Sequence, residues 1–415
     1  MNPTIIGETL ISCLGLGAGY PAADEFAELS PADWDRIVRQ AIRFQVAPLL
    51  YHRLKAAGSE TVIPLPVTRK LRESYHANAL KNMHLYEELS TIVRTFQDHG
   101  LAVIVLKGAH LAKVVYGNIA LRRMCDLDLL VKRKDLAAAV KVLSGIGYHP
   151  ARPFEIEEVC TQSRHLPPFV KDKSVPIEIH WHIEPPDTPF TVDIDGLWQR
   201  ARPMVVNDVQ MPVLSPEDLM LHLCLHAVQH ILEGVGLRPL CDLTETMKRY
   251  QAEMDWQKLL DRSREWGTDR PLYLMLSLIR ELGGQAASGN LLDILKSNPV
   301  EPQFVAGLKA HTMMKTSDCL ALTTDVARFW RPESPTERIA LLVKKAFPSR
   351  EYLARIYQVP QDSARIYFYY PVRMKDLLLR YGYTLWRLFR RDAQVVPLAR
   401  LESSQLALRD WLMSR

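Results

Sequence analysis

Asp126-Leu127-Asp128 is where residue type and spacing first point to chemistry in this chain. In a strand, residues i and i+2 face the same side, so the two carboxylates stand together. Each raises the other's proton affinity unless a cation neutralises the pair. A hard divalent ion such as Mg²⁺ suits the arrangement, because it takes a few carboxylate oxygens together with phosphate oxygens. An isolated Asp-x-Asp is more often a solvated strand end, so the neighbours decide. Upstream, the apolar run 101–106 leads into Lys107-Gly108-Ala109 and a short helical pattern reaching Tyr116. Glycine lets a phosphate approach the backbone, a helix N-terminus offers free N–H groups, and Lys107 adds positive charge. Downstream, Glu178, His180, His182 and Glu184 alternate with Ile177, Ile179, Trp181 and Ile183, a period of two with one polar face. Glu178 can therefore complete a carboxylate triad.

The elements that must position these groups are legible in outline. Ser30-Pro31-Ala32-Asp33 and Ser215-Pro216-Glu217-Asp218 both read as helix starts, with a serine cap, proline at the first position and acid in the first turn. A longer helical pattern runs from Val67 to about His99 and closes at Gly100. Residues 101–106 read as a strand covered on both faces, 127–131 as a second strand-like run around the two aspartates, and Lys134–Gly147 as an amphipathic helix. Residues 166–171 and 176–183 read as two strands joined at Asp172-Lys173-Ser174. Helices are expected near 217–233, 238–250, 255–266 and 270–283.

Composition bounds the rest. The 415 residues are 47% hydrophobic, enough for a large core and two or three structural units. Fifty-two basic against 47 acidic residues leave +5, which does not demand nucleic acid. The apolar runs fall short of the roughly 18 residues of a membrane span. The start carries no basic segment leading into a sustained apolar stretch, and the six cysteines have no paired spacing. A reducing cytoplasm is expected, with Cys13, Cys125, Cys160, Cys224, Cys241 and Cys319 as ordinary interior thiols.

Four stretches, VLKGAHLAKVVYGNIALRRMCDLDLLV, AVKVLSGIGY, PIEIHWHI and LMLHLCLHAVQHILEGVGLRPLCDL, resemble the nucleotidyltransferase superfamily typified by DNA polymerase beta, in particular its uncharacterised bacterial members. The resemblance spans roughly residues 101 to 243 and implies an α+β fold, a small mixed sheet flanked by N- and C-terminal helical regions. The organisation expected is 1–100 helical, 101–185 the α/β core, 186–290 a helical domain closing the cleft and 291–415 helical. By the same resemblance Asp126, Asp128 and Glu178 hold Mg²⁺ or Mn²⁺ and act in catalysis. Lys107, Gly108, Ala109, Arg122, His180 and His226 contact the nucleotide. Here Ala109 stands where the superfamily usually has a second glycine or a serine, and the stretch from the turn to Asp126 is longer than in compact members. The activity implied is transfer of a nucleoside monophosphate from an NTP to an acceptor such as a small molecule, a glycan precursor or a peptide.

Two other readings compete. A nucleotide-binding module that has lost catalysis is motivated by the missing hydroxyl at Ala109. A metallohydrolase centred on His222, His226 and Asp242 is motivated by the histidine stripe at 222, 226 and 230. The outer two of that stripe are about 12 Å apart on a helix, too far to share one ion, so a polar face packed over the cleft is expected instead. Asp242 is expected either to orient a histidine or to cap a helix. The basic, aromatic C-terminal segment reads as a core stripe of Tyr367, Tyr369, Tyr370, Leu378, Trp386 and Phe389. Contact with an anionic membrane, motivated by Arg380, Arg387, Arg390 and Arg391, is the other reading.

Overall fold

Ser30 caps its helix as the sequence suggests. Its hydroxyl accepts the Asp33 N–H at 3.2 Å, and the Asp33 carboxylate takes the Ser30 N–H at 3.2 Å. The computed structural model describes residues 3–284 except 18, 22, 60–61, 173 and 233–235, and then 290–295, 305, 308–309, 343, 346–357, 363–390, 392 and 406–413. Lys173, Cys319, Arg391 and the prolines at 299, 302, 332, 335 and 360 lie outside the described residues. Helices α1 (Pro3–Cys13), α2 (Ala23–Ala27), α3 (Pro31–Arg43), α4 (Ala47–Ala56) and α5 (Leu65–Asp98) form the N-terminal region. Gly100, at φ +69°, ends the long α5, and the Leu101 N–H returns to the Phe96 carbonyl.

A seven-stranded mixed sheet follows. Its elements are β1 (Val103–Val105), α6 (Lys107–His110) with a π turn over Leu111–Val115, β2 (Leu127–Val131), α7 (Leu136–Gly145), β3 (His149–Pro150), α8 (Ile156–Gln162), β4 (Phe169–Val170), β5 (Ile177–His180), α9 (Ile194–Arg200), β6 (Arg202–Val206) and β7 (Val209–Val213). The strand order is β3-β4-β5-β2-β1-β7-β6. The β6–β7 hairpin was not legible in the sequence. It turns at Asn207-Asp208, whose φ of 46° and 62° suit a type I′ turn, and β7 then joins β1 in parallel. The fold is α+β. The core face of the sheet carries Leu127, Leu129, Ile177 and Ile179 and packs with Leu85, Leu89, Ile92 and Phe96 of α5.

Four helices come next: α10 (Pro216–Leu232), α11 (Arg238–Tyr250), α12 (Trp256–Trp266) and α13 (Asp269–Glu281). All four fall within two residues of the expected spans. Ser215 repeats the cap of Ser30, with the Asp218 N–H donating to its hydroxyl at 3.3 Å. Asp218 also binds Arg200 at 3.0 Å and Arg262 at 2.9 Å, which ties α10 to α9 and α12.

The chain divides into two compact units, residues 1–313 with 413–415, and residues 314–412. The second carries helices Arg350–Tyr357 and Tyr369–Phe389. The expected core stripe does not form at Tyr367 and Trp386, which are 58% and 51% exposed. Arg350 lies over the Tyr367 ring at 5.3 Å and Arg390 over Trp386 at 4.4 Å, so both rings serve as exposed cation–π partners. Tyr369 and Tyr370 are half-buried, and the side chains of Leu378, Arg380 and Phe389 lie outside the described residues.

Candidate metal and nucleotide site

Strands β2 and β5 lie side by side in parallel, with Asp128 opposite Glu178 and Leu130 opposite His180. Because the side-chain period is two, this register puts Asp128, Glu178 and His180 together on the face away from the α5 core. One ligand atom from each lies within 4.8 Å of the others, the single such group of metal-donor side chains among the described residues. His180 Nε2 is 2.9 Å from Asp128 Oδ1 and 3.4 Å from Glu178 Oε2. Lys107 Nζ donates to the same Asp128 oxygen at 3.3 Å. Asp126 sits on the bend just before β2, outside this group.

The electrostatics follow from that packing. Burial alone would raise the Asp128 pKa, but the Lys107 ammonium and the His180 hydrogen bond overcome it and hold the carboxyl well below the usual range. Asp126 shifts the other way: burial and the Asp128 and Glu178 charges push it up and outweigh the pull of Lys107 and Arg122. Lys107 is itself unusual. It is 6% exposed and adopts φ +36°, a backbone region that non-glycine residues rarely occupy. The strain at the strand-to-helix turn therefore falls on the residue that carries the charge.

Gly108, the next residue, has a different reason to be glycine. A Cβ there would meet Arg122 Nη1 at 2.8 Å, so the room beside Gly108 is filled by a guanidinium. Arg122 is buried, and Asp242 takes its Nε at 3.3 Å and its Nη2 at 3.0 Å. Tyr116 donates its hydroxyl to the same carboxylate at 2.9 Å. Asp242 therefore neither orients a histidine nor caps a helix, as the sequence suggested; it neutralises a buried arginine. That pairing also removes Asp242 from any metallohydrolase centre with His222 and His226. Ala109 turns its methyl into the core, and its carbonyl accepts the Tyr86 hydroxyl at 2.6 Å.

The uncharacterised nucleotidyltransferase family model matches residues 30–284, well over half the chain. The chain belongs to that family. It is a nucleotidyltransferase, an enzyme of phosphorus-group transfer. Comparison with curated proteins and with solved structures finds no significant match.

In this nucleotidyltransferase the matched segment contains the triad, the Lys107 turn and helix α10. His222 is fully buried and His226 half-buried. Burial lowers the pKa of both well below the ordinary value, and the Lys107 ammonium lowers it further. His230, also depressed mainly by burial, falls to about 4. The stripe thus forms a neutral face within electrostatic reach of Lys107 and Asp128. A pH dependence follows. The unfolded chain binds protons on these histidines near pH 6.5 and the folded chain does not, so stability is complete above that pH. It is lost as pH falls toward 4. Urea midpoints measured from pH 7.5 to 4.5 should fall, and His222→Gln should flatten the decline.

Two residues that support the site escaped the sequence reading. Asn78 and Asn82, on the buried side of α5, hold the loop before Asp126. Asn78 Nδ2 donates to the Ala120 carbonyl at 2.7 Å, and Asn82 Nδ2 to those of Ile119 and Arg122 at 2.5 and 2.8 Å. Their signal was an i, i+4 pair of amides between Leu71 and Leu85 on an otherwise apolar stripe. Glu184 is 1% exposed, and burial raises its pKa to about 7. Gln229 bridges it to Arg164, with bonds of 3.3 and 2.9 Å. His182 stays half-buried beyond the end of β5, with Nδ1 accepting the Glu184 N–H at 3.0 Å. Cys125, expected inside, is exposed because it stands on the loop outside the sheet, while Cys13, Cys160, Cys224 and Cys241 are buried and free.

Proposed function

We propose that this nucleotidyltransferase transfers a nucleoside monophosphate from an NTP to a small-molecule, glycan-precursor or peptide acceptor, using a divalent ion in a site of the DNA polymerase beta-like kind. The observation that carries the reading is the meeting of Asp128, Glu178 and His180 beside Lys107. Two carboxylates and an imidazole fit a divalent ion. The oxygens suit Mg²⁺ and the added nitrogen suits Mn²⁺ equally. The buried Asp128 carboxylate, held in its charged form beside Lys107, supports the fit. When bound, the ion would neutralise triphosphate charge and lower the pKa of an acceptor hydroxyl.

The chain's own groups then divide the remaining work. Asp128 and Glu178 hold the ion with His180, and Asp126 joins them from the bend. Lys107, once released from Asp128, offers its ammonium to the phosphates, while Gly108 and Ala109 offer backbone N–H groups. Arg122 supports this turn from behind through Asp242, in place of the direct phosphate contact expected from sequence. Glu178, with 23% of its side chain accessible against 6% for Asp128, takes the acceptor's proton. His226 lines the nucleotide side of the cleft.

The test is thermal stability with each NTP, with and without Mg²⁺ or Mn²⁺. Ligand bound to the folded state raises the melting temperature by mass action. One NTP should stabilise, only with metal, and would name the donor; metal-independent or absent stabilisation counts against the reading. A cytoplasmic setting is proposed from the unpaired cysteines.

In the second unit, Phe368, Val372, Leu379 and Trp386 are 76%, 41%, 73% and 51% exposed. The last three recur every seventh residue along one helix. With Arg365, Arg373, Lys375 and Arg390 nearby in sequence, they support peripheral contact with an anionic membrane. The protein should sediment with phosphatidylserine vesicles at low salt, and Leu379→Glu should abolish this; equal recovery with neutral vesicles would refute it.

A further inference from the structure

A small basic pocket lies outside the triad, against the loop that leads into it. Its 240 Å³ are lined by Gln45, Ser74, Asn78, Lys81 and Arg123, with Ile42, Ala47, Pro48 and Ala77 completing the wall. That volume is below the range of cavities that enclose drug-sized ligands, so it suits one charged headgroup rather than a whole nucleotide. No carboxylate among the described residues pairs with Lys81 or Arg123. Elsewhere in this unit exposed cations commonly have such partners, as Arg39 with Asp35 and Arg249 with Glu253 do.

The pocket is held in place from three sides. The Asn78 and Asn82 amides pin the carbonyls of residues 119, 120 and 122. Arg122 Nη1 donates to the Arg123 carbonyl at 3.3 Å, so the buried pair with Asp242 also fixes the backbone that carries Arg123. On the far wall, Gln45 adopts φ +59°. Its side-chain oxygen takes the Arg238 guanidinium and lies 3.9 Å from Cys125 Sγ. Arg123 is five residues from Asp128, at most about 18 Å along the chain. An elongated molecule anchored here by one end is within that reach of the triad.

We infer that Lys81 and Arg123 form the acceptor subsite and that the acceptor carries an anionic headgroup, a phosphate or a carboxylate. This rests on the proposed transfer reaction. Arginine recognises either group through paired N–H donors, and lysine adds a point charge. Gln45 and Ser74 supply neutral hydrogen bonds that favour a compact oxyanion.

The probes are inorganic phosphate and acetate, titrated calorimetrically at constant ionic strength against wild type, Lys81→Gln/Arg123→Gln and Asp128→Asn. Wild type should bind at least one probe, and the one preferred names the headgroup. The double variant should bind it about tenfold or more weakly while keeping metal-dependent stabilisation by NTP. Asp128→Asn should keep the anion and lose that NTP effect. Anion affinity unchanged in the double variant, or no binding of either probe to wild type, would overturn the subsite. Undiminished metal-dependent NTP stabilisation in Asp128→Asn would instead sink the proposed reaction and leave the anion pocket standing.

Discussion

Asp128→Asn should reduce nucleotidyl transfer by about a thousandfold, because a bound ion is worth several kcal/mol of charge stabilisation in the transition state. The substitution keeps the shape of the side chain and its acceptor oxygen toward Lys107, but removes the charge. Glu178→Gln should fall by a similar factor, since its carboxylate stands opposite Asp128 across the two strands. The check is label transferred from an α-³²P-NTP into acceptors of a cell extract, compared at equal protein. Asp128→Asn will also lose stability, by up to about 3 kcal/mol, as the buried Lys107 loses its counter-charge. Activity is therefore to be read well below the melting temperature, with an unchanged far-ultraviolet circular dichroism spectrum as control. Wild-type transfer in a folded Asp128→Asn would remove that carboxylate from the chemistry.

The largest loss of stability should come from Asp242→Asn or Arg122→Met, about 3–5 kcal/mol each, because either leaves a buried charge or fork of donors uncompensated. Asp242 serves Arg122 through two bonds and Tyr116 through a third, so its loss strands more than one group. The double variant Arg122→Met/Asp242→Asn should recover much of the loss, since neither charge of the pair then remains. Urea denaturation of the four proteins measures the effect. Near-additive destabilisation in the double variant would show that packing, rather than the pair, carries the cost.

What could be read from the sequence was local. Both serine caps follow from neighbours within four residues, and so does the closure of α5 at Gly100. The polar face of β5 and the Asp126–Asp128 spacing are also short-range, and they brought Asp128 and Glu178 to notice. What stayed hidden was long-range pairing. Arg122 and Asp242 are 120 positions apart, and Asp128 and His180 are 52 apart. No periodicity announces that an arginine beside a strand will be spent on an aspartate of a distant helix. The identity of the triad depends on register, since a slip of one residue between β2 and β5 would turn His180 to the other face. The β6–β7 hairpin was missed because each strand has five residues with a proline inside it, and edge position is what tolerates Pro203.

The most direct measurement is Mn²⁺ binding followed by electron paramagnetic resonance, with and without the stabilising NTP, for wild type and Asp128→Asn. Wild type should take up Mn²⁺ more tightly once the NTP is present, with nitrogen hyperfine coupling from His180, and Asp128→Asn should lose both. Equal Mn²⁺ uptake by the two proteins would contradict a metal and nucleotide site built on Asp128, Glu178 and His180.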